Sequence, residues 1–178
     1  MLRRTPIVFL EGNMKKILVI TALLISTTVY AKDVETPRVY REVAAAPTNS
    51  REAEVAALFD RWNAALATGN ADQVTKLYAA DAVLEPTVSN EVRTTPAEIK
   101  SYFVKFLQMK PQGTINYRQI RFLGDNAALD TGVYTFNLTK DGKAKKVHAR
   151  YTYVYKKVDS EWKILNHHSS TMPELVDD

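Results

Sequence analysis

The chain has 178 residues, is 46% hydrophobic and 25% charged, and carries a formal charge of +4. That is one domain of ordinary folded composition, which excludes collagen-like, low-complexity and acidic-tail classes. It contains no cysteine, which excludes a disulfide framework, a thiolate zinc site, an iron–sulfur centre and a cysteine nucleophile.

The amino terminus has its own pattern. Met14 to Ala31 reads as a basic start (Lys15, Lys16), an apolar run from Ile17 to Ile25, and Val29-Tyr30-Ala31 with small residues where a signal peptidase cuts. The run is short against the roughly 20 apolar residues of a membrane span. Residues 1–31 are therefore expected to form a secretory signal peptide; an uncleaved anchor and a buried strand are the other readings. Met14 with its two lysines makes a more typical signal start than Met1, so residues 1–13 are a candidate misassigned extension. Alternatively, Arg3 and Arg4 lengthen the basic region, although they lie too far upstream for a twin-arginine signal. Cleavage near Ala31 removes Arg3, Arg4, Lys15, Lys16 and Glu11 and leaves a formal charge of +1. The expectation is a periplasmic or secreted protein with no nucleic-acid partner and, once cleaved, no membrane contact.

Residues 32–49 contain Pro37, Pro47 and three consecutive alanines and are expected to be a flexible lead. The folded domain is expected over 50–175. Val55, Leu58, Phe59, Trp62 and Leu66, spaced by three and four, predict a helix from Arg51. Asn49 or Ser50 caps it, Asn49 with Glu52 forms a capping box, and Gly69 stops it. Asn70 with Gln73 predicts a second, shorter helix carrying Val74, Leu77 and Tyr78. A short extended stretch, Ala82 to Glu85, ends at Pro86. Thr95, Pro96 and Glu98 fit the N-cap, first and third positions of a third helix. Its stripe is Ile99, Tyr102, Phe103, Phe106 and Leu107, and Pro111 and Gly113 close it.

Beyond Gly113 the apolar period falls to two. Strands are expected over Thr114 to Leu123, Ala127 to Leu138, Ala144 to Val158 and Trp162 to Ser170, with a hairpin turn at Asp141-Gly142. Tyr151, Tyr153 and Tyr155 share one face. The order predicts an α+β fold: three N-terminal helices on a strongly curved mixed sheet that ends in an antiparallel four-strand meander. Curvature would turn the helix-covered face into a cone with an interior pocket. Aromatic residues on the opposite face, Tyr153 taken among them, would need cover. A homo-oligomer, dimer or larger, through the sheet face is expected.

Adjacent His167 and His168 point to opposite faces of a strand and cannot share a metal there, while His148 sits on a neighbouring strand. No metal site and no cofactor are expected. A strand guanidinium turned into a pocket needs a partner or an anion, and a carboxylate fits its fork. Arg150 and Arg118 are the candidates; a solvated face, or pairing with Asp130 or Glu85, is the other reading. A carboxylate beside a histidine could take a proton from a carbon acid, which makes His168, Asp130 and Glu85 the catalytic candidates. Trp62, Tyr78, Tyr102 and Tyr134 are either core or pocket wall. Phosphate loops, GxGxxG, HExxH and GxSxG are absent.

The run Ala149-Arg150-Tyr151-Thr152-Tyr153-Val154-Tyr155, and the ending from Trp162 through His167-His168-Ser169-Ser170-Thr171-Met172-Pro173, carry a resemblance. They are similar to the association (hub) domain of calcium/calmodulin-dependent protein kinase II, as found in small stand-alone bacterial proteins of the NTF2-like, SnoaL-like superfamily. Trp62-Asn63, Leu84 to Asn90, and Arg93 to Ile99 leading into Tyr102-Phe103 agree with it, over roughly 50–175. The resemblance implies a cone-shaped α+β barrel that self-associates through its sheet. It also implies an inward pocket lined with arginines for small carboxylates, with Arg150 the best match, Arg93 in the loop before the third helix, and Arg118 a weaker match. The expected function is an exported oligomer binding a small carboxylate-bearing or partly apolar ligand. Arg150 would hold the anion, Tyr134, Tyr102, Tyr78 and Trp62 would line the wall, and His168 would hydrogen-bond. The alternatives are a SnoaL-like isomerase or dehydratase using a histidine–carboxylate pair, and a purely structural self-association module.

Overall fold

The computed structural model describes residues 39–173; the expected signal peptide, 1–31, and the first part of the lead lie outside the described residues. Helices α1 (Ser50–Ala67) and α2 (Ala71–Thr75) are followed by strand β1 (Tyr78–Glu85) and helix α3 (Pro96–Phe106), which runs into one 3₁₀ turn (Leu107–Met109). Then come β2 (Gln112–Phe122), β3 (Ala127–Lys140), β4 (Lys143–Val158) and β5 (Glu161–Thr171).

The helix starts follow from their caps. Asn49 Oδ1 accepts from the amides of Arg51 and Glu52 at the head of α1. At α3 the box is reciprocal: Thr95 Oγ1 accepts from Glu98 N, and Glu98 Oε2 accepts from Thr95 N. Glu98 also accepts from Thr94 N, and these bonds hold its carboxyl below the usual range. Tyr78 opens β1 instead of closing the second helix. The Leu77 carbonyl accepts from Ile164 N at 2.8 Å, so pairing with the last strand wins over the local helical period.

The sheet is mixed, in the order β1-β5-β4-β3-β2. β1 runs parallel to β5, and β5, β4, β3 and β2 form the antiparallel meander. The expected cone-shaped barrel on a strongly curved sheet is corrected here. β1 and β2 stand at opposite edges and do not pair, and the sheet is open and not strongly curled. Side chains fill the helix-covered face: Phe59 and Trp62 of α1 lie against Tyr153 with ring centroids 6.4 and 5.8 Å apart. Two layers packed at that distance leave a cleft, not an enclosed interior.

Tyr151, Tyr153 and Tyr155 are all buried on this inner face. Tyr153 is thus core, not outer-face surface, and the alternation sends Arg150 and Thr152 to the other side. In β2 a bulge between Ile115 and Tyr117 shifts the parity, so that Arg118 faces Gly132 across the strand pair. A Cβ at Gly132 would run into the Tyr117 carbonyl, so the bulge needs glycine opposite. The described part of the lead follows β2: Ala44 N donates to Ile115 O at 2.9 Å, and Asn116 Nδ2 donates to the carbonyls of Arg41 and Glu42.

Candidate functional site

An apolar cleft of about 410 Å³, including its open mouth, lies between α3, the loop after β1 and the inner face of β3–β5. Trp62, Tyr102, Phe103, Tyr134, Phe136 and His167 give its wall an aromatic character. It is narrow, with room for only a few water-sized groups unless its walls move.

Two short polar chains enter this wall. In the first, Trp62 Nε1 donates to Tyr78 Oη at 3.2 Å, and Tyr78 Oη lies 2.9 Å from His167 Nδ1. Indole can only donate, so the phenol accepts from Trp62, and the tautomer that also gives the phenol proton a partner has it donate to Nδ1. The neutral imidazole then carries its proton on Nε2. That atom is buried and has no hydrogen-bond partner among the described residues. Burial, with a smaller contribution from His168, pushes the His167 pKa down to about 3, so the ring is neutral at pH 7. In the second chain, Tyr134 Oη donates to Ser169 Oγ, which also meets Thr87 Oγ1. Burial raises the phenols of Tyr78, Tyr102 and Tyr134, so they act as neutral hydroxyls.

A second buried group lies deeper under α1. Asp130 is 0% exposed. It pairs with Arg118 Nε at 3.2 Å and accepts from Tyr151 Oη at 2.9 Å. Burial pushes its pKa up to about 6, with Arg118 and Tyr151 opposing. The ionised pair raises the Arg118 pKa against the burial that would lower it. One Arg118 nitrogen, Nη2, is buried without a partner among the described residues.

The sequence candidates thus separate into three places. Trp62, Tyr78, Tyr102 and Tyr134 meet at the cleft. Arg118 and Asp130 meet each other under α1. Arg150, His168 and Glu85 stand on the outer face: Arg150 Nη2 donates to Ser170 Oγ at 3.4 Å, Glu85 Oε2 accepts from Asn166 Nδ2 at 3.3 Å, and Glu85 registers with His168. Arg93 lies at the rim, bridged to Glu91 at 2.6 Å and donating to Ser89 Oγ at 3.1 Å. His167, Ser169 and Thr87 were not among the sequence candidates. The strand alternation that buries Tyr153 also buries its register partner His167, and this was the signal available for it.

Three helices on an open mixed sheet, with a cleft between the layers, make up the fold seen in solved NTF2-like and cystatin-like structures. The calcium/calmodulin dependent protein kinase II association domain matches over residues 51–173, and the chain belongs to that family. It is 57% identical to a Xanthomonas campestris protein assigned to the same association domain, with a TM-score of 0.77, covering 78% of this chain and 100% of that one. The hub homology domain of Chlamydomonas reinhardtii shares the fold at 22% identity and TM-score 0.59, covering 70% and 99% of the two chains. An NTF2-like superfamily protein of Salmonella enterica shares it at 15% identity and TM-score 0.60, covering 68% and 90%. No curated protein matches the chain.

Proposed function

We propose that this chain is an exported, self-associating protein that holds a small, partly apolar ligand in the cleft, with an acceptor oxygen of the ligand on Nε2 of His167. The observation that carries this reading is the buried Nε2 of His167, unpartnered among the described residues on a largely apolar wall. A buried donor left unpaired costs about 1–3 kcal/mol, and an acceptor oxygen recovers it. No charged side chain lines the cleft, so an ionised oxygen at its inner end would be buried without a counter-charge, which favours a neutral inner end. A proton-abstracting role at this ring is not favoured, because Nδ1 meets the Tyr78 phenol and not a carboxylate.

Titration with 1-propanol, followed through the His167 imidazole resonances by NMR, tests the reading. The Nε2 resonance is expected to move on binding. His167→Phe should weaken binding several-fold, up to about tenfold for one hydrogen bond. Unmoved imidazole resonances, or equal affinity in the variant, would sink it.

Self-association is proposed through the outer sheet face, where Val133, Arg150, Thr152 and His168 line an open groove. Thr152 sits mid-sheet between Thr131 and His168 in register. Thr152→Glu would place a charge there and is expected to lower the mass measured by light scattering; an unchanged mass would exclude this face.

A further inference from the structure

We propose that the tip of the β3–β4 hairpin docks this protein on an anionic lipid bilayer, with its lysines against the phosphate headgroups and Val88 beside them at the interface. The proposal is independent of the cleft and of what the cleft holds. It replaces the expectation of no membrane contact. Among the described residues no helix is long and apolar enough to cross a membrane, so the contact is with the bilayer surface.

The carrying observation is how far the hairpin reaches. β2 begins at Gln112, in register with Asn137, and β5 ends at Thr171, in register with Ala149. The pairs Leu138↔Lys145, Thr139↔Ala144 and Lys140↔Lys143 lie beyond both. This last stretch, about 10 Å long, therefore has no strand on either side. Leu138 is buried and roots it, while every residue from Lys140 to Lys146 is exposed. Lys140, Lys143, Lys145 and Lys146 stand in that run against the single carboxylate of Asp141. Lysines that guard a sheet edge belong on edge strands, and the edges here are β1 and β2. Lys140 also stands directly opposite Lys143. Such a like-charge pairing costs stability, and an anionic surface offsets it.

The other end of the sheet is built differently. There the charges are matched: Arg51 meets Asp125 at 3.6 Å, Lys157 meets Glu54 at 3.9 Å and Lys163 meets Glu161 at 2.9 Å. At the hairpin end Lys105 of α3 joins the tip, and with Val88, Lys140 and Lys145 it borders one open groove. Lys105, Lys140, Lys143 and Lys145 make no ion pair among the described residues. Glu91, the carboxylate of that groove, is bridged to Arg93 at 2.6 Å. Ammonium groups are point charges on flexible stems and suit mobile phosphates. Reading nucleic acid takes forked or amide side chains on base edges, or exposed aromatic rings for stacking. The exposed large apolar side chain at this groove is Val88, 49% exposed. A convex cationic tip beside an exposed valine fits a surface of anionic phospholipid.

Co-sedimentation with vesicles tests this, using the protein expressed whole and purified in the form the cell leaves it. One vesicle is phosphatidylcholine alone; the other is phosphatidylcholine and phosphatidylglycerol in equal parts. Binding is expected to the anionic vesicle only and should be lost at high salt. Each lysine at such a surface contributes about fivefold, so Lys140→Gln, Lys143→Gln and Lys145→Gln together should weaken partitioning about a hundredfold. Lys156→Gln, Lys157→Gln and Lys163→Gln remove the same charge from the far end and should stay within about twofold, beyond the screening length. Equal binding to the two vesicles, or to neither, overturns the proposal without any variant. Equal losses in the two triple variants overturn it too, because net charge alone would then account for the binding. Release from the anionic vesicle by an equal concentration of short duplex DNA would make nucleic acid the partner and overturn the bilayer.

Discussion

Phe59→Ala is expected to destabilise the fold by about 3–5 kcal/mol, the range for removing a buried phenyl ring. Phe59 is 2% exposed at the centre of α1. Its ring centroid lies 6.4 Å from that of Tyr134 and 6.5 Å from that of Tyr151, and the Arg118 guanidinium sits 5.9 Å from it. On the sheet side it fills the space over Gly113, where an added Cβ would come within 3.0 Å of its Cζ. No neighbour can collapse into such a hole without dragging the helix with it, so the cavity term is expected to be large. Urea denaturation gives the loss directly as a lower midpoint. Val104→Ala on α3, 51% exposed, is the control and should stay within about 0.5 kcal/mol. Equal effects from the two would mean that α1 is not the clamp on the sheet. Against a usual stability of about 5–15 kcal/mol, the expected loss could unfold the chain at physiological temperature.

The second large effect is a pair of opposed pH dependences. Asp130 is raised from 3.8 to about 6 in the fold, chiefly by burial. Between those values the folded state binds a proton that the unfolded chain has released, so stability falls as pH rises, by about 1.4 kcal/mol per unit. His167 is lowered from 6.5 to about 3, again chiefly by burial. There the unfolded chain binds the extra proton, and stability falls as pH drops, with the same slope. Over the shared window the two groups nearly cancel. Asp130→Asn should remove one side of the balance and cost about 2 kcal/mol more, relative to the unaltered protein, on going from about pH 6 to pH 4. His167→Phe should tilt the curve the other way, with relative stability rising toward pH 4. Taking differences between the curves removes the shared contributions of Glu98 and Glu161. Parallel curves for the three proteins would show that neither group is perturbed as described.

Local signals were legible where local physics decides. Thr95, Pro96 and Glu98 announce α3 because the cap is complete within four residues. Asp141-Gly142 announces the β3–β4 turn because both positions need positive φ, 52° and 73°. Alternation along β4 was also legible, but not which face the helices cover. Taking the tyrosine face as outer sent Arg150 and His168 inward together, because parity ties them to Tyr153 and His167. Tyr78 was misread as helical because its partner, β5, lies at the far end of the sequence. Arg118 depended on a bulge that no residue pattern marks, and Asp130 on a buried carboxylate in a strand whose neighbours are apolar. The lysines between β3 and β4 are written in the sequence, but it takes the register to see that they project beyond the neighbouring strands.

The parallel pairing of β1 with β5 has a kinetic side. Its partners, Leu84 with His167 and Glu85 with His168, are separated by α3 and the whole meander. Bringing them together closes the longest loop in the sheet, and non-local pairings of this kind slow folding. Until β5 arrives, the edge of β4 has no partner, and the half-made sheet is exposed to association with other chains. A strand of eleven residues at the end of the domain therefore sets the moment at which everything before it becomes a fold.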